Sequence, residues 1–390
     1  MKKSLLSVFT MVAMAAAFTA CSNDDNEVPD VKNGNVKSVF MKLDLNQKST
    51  RAVESPLATG TTATVSELHV YFYDDATKNI QKYLKINGTT TPSLTALTTA
   101  GAQIPDVPSA ADRVLVRGNV PAAISLPTGG LITAVENLSV DITTQNDKDN
   151  ILLGHLAATI QTYGGVGAAP IAGMQNGDKY AEIELEPAVA RIEIEGLQAQ
   201  GTVISGFNLE GIYVNNFYQK LKMGDGSSSD QQQYGSDPTK YDENAASTLY
   251  TTANADKLFN KFTPVLTASG TPLGVGPNPA TNRWVYHAFE NSAATANDQL
   301  QLVFKLNNLA ANVGSGVTFP AGVQFLTVRG FKDNAGNIVK LEKGKIYTIS
   351  KAEFKFDESS LSTVPNTTAV GVWLKVTVKA WTVVPVKPNL

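Results

Sequence analysis

The chain has 390 residues, a formal net charge of −3 and 17% charged residues, below the usual share of about a quarter. Near-neutral charge without a clustered Lys/Arg stripe excludes an electrostatic footprint for nucleic acid. The single Cys excludes an intrachain disulfide and any Cys-rich zinc site. Thr, Ala, Ser, Asn and Gly fill the charge deficit and favour strands and turns over helices. The length suits two domains, or three, once any leader is removed.

Residues 1–20, MKKSLLSVFTMVAMAAAFTA, read as a signal peptide. Lys2 and Lys3 are its positive start. The apolar run 5–18 is Ala-rich and short of the roughly 20 residues a membrane span needs. Ala17-Phe18-Thr19-Ala20-Cys21 resembles a bacterial lipobox, with Phe18 and Ala17 where Leu is usual. A thiolate is the nucleophile that lipid alkylation requires, so only Cys serves at position 21. The expectation is a lipoprotein cut before Cys21, with diacylglycerol and an acyl chain such as palmitate on it. Each buried CH₂ adds about 0.8 kcal/mol to such an anchor. The other reading is an ordinary secretory signal with an incidental Cys. Residues 22–27, SNDDNE, look like the surface-export tract of Bacteroidetes lipoproteins, or equally a solvated tether.

Residues 36–52, VKSVFMKLDLNQKSTRA, come next. Val39, Met41, Leu43 and Leu45 alternate with Ser38, Lys42, Asp44 and Asn46, the period of a half-buried strand. A polar segment and then Arg51-Ala52 follow. This is the layout of a strand that a trypsin-like protease could cut from the chain. It is also the layout of an ordinary first strand beside an ordinary surface Arg.

From residue 66 the pattern is strongly β. Leu68, Val70 and Phe72 alternate with His69, Tyr71 and Tyr73, and 80–86 reads as a hairpin partner. Residues 89–103 read as a loop. Segments 113–120, 138–142 and 150–160 read as further strands or buried stretches, 164–173 as a flexible Gly/Ala loop. In 180–185, Ala181, Ile183 and Leu185 point inward and the intervening Glu residues outward. A count of about seven strands suits a small sandwich. Pro187 cannot sit in a central ladder, so the domain boundary is placed there. Beyond it, Ile192 and Ile194 oppose Glu193 and Glu195. Residues 222–254 read as a long surface excursion. Strands are expected at 207–217, 283–289, 298–306, 323–331, 338–341 and 345–356, with 332–337 a hairpin turn. Residues 372–380 read as one last strand carrying Val372, Leu374, Val376, Val378 and Ala380 on one face. The fold class is all-β, two sandwiches in tandem.

Enzyme signatures are missing: there is no HExxH, GxSxG, Walker A or strand-linked GxGxxG. His69, His155 and His287 are scattered, and each reads as a strand or loop residue. Acidic residues read mostly as solvated faces. Asp147-Lys148-Asp149-Asn150 lacks the Gly and distal Glu of a calcium loop. No catalytic residue, metal ligand or cofactor is expected. A paired-carboxylate site assembled in space stays open, with nothing arguing for it. What stands out is the apolar strand at each end. Removal of the first would expose unpaired backbone groups, each costing about 1–3 kcal/mol when buried. A strand from a second molecule could refill such a groove by β-augmentation. Head-to-tail joining of that kind does not close and gives a filament.

In order along the chain, these segments resemble the fimbrillin family, the type V pilins of Bacteroidales. The carriers are the lipobox at Cys21, the leading strand with Arg51-Ala52, and Leu68-His69-Val70-Tyr71-Phe72-Tyr73-Asp74. Further on come Val114 to Pro121, Ala188 to Ile194, Gly344-Lys345-Ile346-Tyr347 and Val376 to Trp381. The resemblance implies two transthyretin-like sandwiches with the leading strand inserted in the first. It divides the chain into a signal peptide (1–20), a lipid-anchored propeptide (21–51), an N-terminal sandwich (52–187) and a C-terminal sandwich with a donor tail (188–390). After export, an Arg-specific protease such as a gingipain would cut between Arg51 and Ala52. The tail of another copy, here Trp381, Val383, Val384 and Val386, would then replace Val39, Met41, Leu43 and Leu45. The implied partners are other copies or related fimbrial subunits, the protease, and the outer membrane through Cys21. A stalk subunit supporting adhesion is favoured over tip or anchor. The alternative is a monomeric surface lipoprotein that binds glycan or host protein.

Overall fold

The computed structural model describes residues 35–45, 62–154, 156–242, 257–277, 283–293, 298–367 and 370–385. It is an all-β protein. Strand β1 (Val36–Asp44) buries Val39, Met41 and Leu43 on one face. After β2 (Thr62–Val65), strands β3 (Leu68–Tyr73) and β4 (Ile80–Ile86) form an antiparallel hairpin with Val70 opposite Leu84. The stretch expected as a loop at 89–103 holds helix α1 (Leu94–Thr99). Ser93 caps it by accepting the Ala96 N–H, and Leu94 and Leu97 are buried. Two apolar residues at i and i+3 are too few to announce a helical period in sequence.

Next come β5 (Ala102–Pro108), β6 (Arg113–Gly118), helix α2 (Ile132–Glu136) and β7 (Ser139–Asp141). The short β8 (Leu153–Gly154), β9 (Ala158–Thr159) and β10 (Gln161–Thr162) lead to β11 (Lys179–Glu184) and β12 (Glu186–Pro187). These make two sheets, β10-β11-β1-β5 and β12-β8-β6-β3-β4, with β9 on β6. Ala181 and Ile183 are buried while Glu182 and Glu184 are exposed, as the alternation predicts. Pro187 lies in the two-residue edge strand β12, where its missing N–H costs no ladder.

The rest begins with β13 (Val189–Ile194), β14 (Leu197–Ala199), β15 (Ile204–Asn215), β16 (Phe217–Lys222) and β17 (Ser228–Gln232). Strands β18 (Leu258–Thr267), β19 (Gly274–Val275), β20 (Trp284–Phe289), β21 (Gln301–Ala311) and β22 (Gln324–Lys332) follow. The chain ends on β23 (Ile338–Val339), β24 (Lys345–Ile349), β25 (Lys355–Phe356), β26 (Leu361–Ser362), β27 (Val372–Lys375), β28 (Thr377–Ala380) and β29 (Thr382–Pro385). They form the sheets β20-β13-β24-β28, β19-β14-β25 and β18-β15-β21-β22-β23. On the last, β26 and β27 also pair with β22. The expected single strand 345–356 is two, β24 and β25.

The expected single strand 372–380 is also two. Strand β27 pairs with β22, Val376 turns the chain, and β28 pairs with β24 in another sheet. The face flips at that change: Leu374 and Val376 are buried, but Val378 is exposed. The excursion after β16 is not wholly surface either. Tyr234 and Tyr241 fold back over Tyr213 of β15, and all three are buried with Phe259 and Phe325. The Tyr213 hydroxyl donates to the Tyr241 carbonyl at 2.6 Å, with ring centroids 5.0 Å apart.

One contiguous apolar core runs from Val39 to Trp381. Several contacts join residues before Pro187 to those after it. Val140 of β7 pairs with Leu221 of β16. The buried Arg117 guanidinium donates to the carbonyls of Met223 (2.8 Å) and Gly224 (3.2 Å). Strand β2 pairs in parallel with β29, Ala63 beside Val383.

Candidate functional site

Strand β1 is interior to its sheet. It runs parallel to β11, with Val39 beside Lys179, Met41 beside Ala181 and Leu43 beside Ile183. On its other edge it runs antiparallel to β5, with Val39 opposite Ile104 and Met41 opposite Ala102. Val39, Met41, Leu43 and Leu45 are all at most 3% exposed. Four such side chains contribute roughly 6–12 kcal/mol of apolar burial, at about 1.5–3 kcal/mol each. That is an upper figure, because an unfolded chain already hides some of this surface. Gly101 makes the close fit possible. It holds φ +79°, and a Cβ there would come within 2.7 Å of Ile171 and 3.1 Å of the Met41 carbonyl. The start of the strand is tied down by Lys37, whose ammonium donates to the Ser109 carbonyl at 3.3 Å and to the Ala111 carbonyl. Burial, then the nearby Lys179, pulls that ammonium below the ordinary lysine range.

The other end of the chain is anchored in its own body. The Trp381 N–H donates to the Gly344 carbonyl at 2.8 Å, continuing the β24–β28 ladder. Gly344 adopts φ +66°, beside the Glu186 carboxylate, which explains the glycine before Lys345-Ile346-Tyr347. Trp381 is 1% exposed, and β29 continues from it to lie along β2. Strand β2 is held on its far side by Asn119, at φ +53°. Its side chain accepts the Ser66 N–H at 3.2 Å and donates to the Ile151 carbonyl at 3.1 Å and to the Thr64 carbonyl. Asn119→Ala removes these bonds and puts a Cβ-bearing aliphatic in a left-handed conformation that Asn tolerates. A loss of about 2–4 kcal/mol is expected, read as a shifted denaturation midpoint.

Beneath Trp381 lies a buried polar cluster. The Arg191 Nε donates to Glu193 Oε1 at 2.9 Å, and its Nη1 meets His287 Nε2 at 3.3 Å. Arg283 bridges Glu193 (2.6 Å) and Glu195 (2.8 Å), and the Thr348 hydroxyl donates to Glu193 at 3.2 Å. His287 Nδ1 donates to the Gln145 carbonyl at 2.7 Å. The Glu193 face expected to be solvated is therefore 1% exposed. The Trp381 ring covers this floor, 5.7 Å from the Arg191 guanidinium and 5.1 Å from the His287 ring. Its indole N–H is buried without a hydrogen-bond partner, which costs about 1–3 kcal/mol.

Burial, then the Arg191 charge, holds the His287 imidazole down to about 3, against a smaller upward pull from the Gln145 carbonyl. The folded protein thus keeps His287 neutral where the unfolded chain, titrating near 6.5, takes up a proton. Its contribution is complete above the unfolded value and is lost as pH falls toward 3. About 2 kcal/mol should disappear between pH 7 and pH 5. Denaturation midpoints of the parent and His287→Gln at the two pH values check this; the variant should show the smaller fall.

Cys21, Arg51, Ala52, Val386 and His155 lie outside the described residues. Val383 and Val384 lie in β29, against β2 and not beside β1. The leading strand and the tail are thus separate features of one chain here, each docked on its own neighbours. Sequence reading missed the floor under Trp381. The alternation Arg191-Ile192-Glu193-Ile194-Glu195 gives no sign that its polar side is covered. His69 is a strand residue, donating to Glu67 at 2.8 Å and accepting from Tyr83 at 2.8 Å. Among the described residues no cluster of His, Cys, Asp or Glu could hold a metal ion.

The fold is all-β and fimbrilin-like. A fimbrilin from Porphyromonas gingivalis superposes with a TM-score of 0.50 at 15% identity, covering 89% of this chain and 98% of that one. A candidate cell adhesion protein from Bacteroides eggerthii matches with the same TM-score at 14% identity, over 93% and 100% of the two chains. Another from Parabacteroides distasonis matches at 15% identity, over 91% and 99%, with a TM-score of 0.50. No family model matches the sequence, and no curated protein matches it.

Proposed function

We propose that this chain is a non-enzymatic structural subunit of a cell-surface fimbria, a stalk pilin that supports adhesion. It is exported as a precursor anchored in the outer membrane through lipid on Cys21. An Arg-specific protease cuts between Arg51 and Ala52, and the tail of another copy then replaces β1. In this reading residues 52–187 and 188–390 are the two sandwiches. The observation that carries it is the seat of β1: a strand upstream of Arg51 is paired on both edges and buried on one face. Loss of such a strand opens two facing ladders and an apolar slot, the conditions for strand addition. The burial of Val39, Met41, Leu43 and Leu45 also argues that cutting alone does not empty the slot. The incoming strand displaces β1 step by step, so the slot is never bare.

The Tyr213, Tyr234 and Tyr241 cluster is buried and so offers no aromatic face to a glycan. Immuno-electron microscopy of the native cell surface with antibody to this chain tests the proposal. Labelling along the length of filaments is expected; labelling of the cell envelope alone would dismiss it.

A further inference from the structure

The Trp381 site is a seat that makes no hydrogen bond to the indole it holds. The charged groups of the floor bond to one another. Glu193 is bound by Arg191, Arg283 and Thr348, and His287 bridges Arg191 to the Gln145 carbonyl. None of these bonds runs through the indole, whose own N–H is unpartnered. What holds the ring is apolar contact and its position near the Arg191 guanidinium and the His287 ring. Lifting the ring out therefore breaks no ion pair and lets the indole N–H reach water. Directly beyond Trp381, β29 is the only strand among the described residues that pairs with β2.

We propose that Trp381 is a removable plug that keeps the chain's own tail docked on β2 until assembly draws it out. A tail lying on β2 cannot at the same time fill a neighbour's slot, so the plug restrains self-association of the precursor. This deepens the fimbrial reading and rests on it for the occupant of the freed tail; the plug itself is a property of the single chain.

Hydrogen exchange on the full-length, uncut monomer is the test. Trp381→Ala should speed exchange of the amides of Thr382, Val383 and Val384 and of Thr62–Val65 by about 10²-fold. Exchange in β3 and β15 should rise by much less. Trp381→Phe keeps a ring and lacks only the unpartnered N–H, so it should stay within a few-fold of the parent. Unchanged exchange in Trp381→Ala would overturn the proposal. So would an equal rise through β3 and β15, which would make Trp381 a general core residue. Exchange in Trp381→Phe as fast as in Trp381→Ala would do the same, by showing that the indole N–H is held. If no variant forms filaments once cut between Arg51 and Ala52 while the exchange pattern is as expected, the plug stands and the fimbrial reading fails.

Discussion

Arg51→Ala should leave the precursor folded and lipid-anchored but unable to polymerise. The substitution keeps β1 covalently joined to the chain, and β1 holds its seat through both ladders and four buried side chains. An incoming strand competing with a tethered one faces a local concentration of β1 in the millimolar range. Displacement under that handicap should be negligible. On unboiled gels of cell extracts the ladder of high-mass species should vanish, leaving one monomer band of precursor size. A normal ladder from Arg51→Ala would dismiss proteolysis at this bond as the trigger.

Truncation of the tail should give two different results according to where the cut is made. Ending the chain after Trp381 removes β29 and residues 386–390 but leaves the ring on its floor. That variant should fold, keep its thermal transition within a few degrees of the parent, and form no polymer. Ending it after Lys379 removes Trp381 as well. The emptied seat leaves a cavity above Arg191 and His287, and deletion of a buried aromatic side chain costs about 3–5 kcal/mol. The shorter protein should melt clearly lower, with β2 and β28 more open to protease. Polymer formation by the chain ending at Trp381 would dismiss the tail as donor. Equal stability of the two truncations would dismiss the burial of Trp381 as a stabilising contact.

Period-two alternation made the strands legible in the sequence wherever one face met the core. Met41 and Leu43 in β1 and Ala181 and Ile183 in β11 needed no partner to be read. The pairing of those two strands was not legible, because nothing local in either one specifies a neighbour so far along the chain. Alternation also misled where both faces are covered. Glu193 carries the sequence mark of a solvated face, yet Arg191, Arg283 and Thr348 enclose it. The run from Val372 to Ala380 reads as one strand because its pattern is unbroken. The change of sheet at Val376 is a tertiary decision, made by the available edges of β22 and β24. The short α1 and the inward Tyr234 and Tyr241 lacked a pattern long enough to detect.

The seat of β1 has one further property. One wall, β11, is met in parallel and the other, β5, in antiparallel fashion, and the two ladders have different hydrogen-bond spacing. A substitute running the same way as β1 would keep both ladders as they are, and one running backwards would exchange them, antiparallel on β11 and parallel on β5. The cleft and the tail are different parts of the chain, so a fibre linked through them would be vectorial, with chemically distinct extremities.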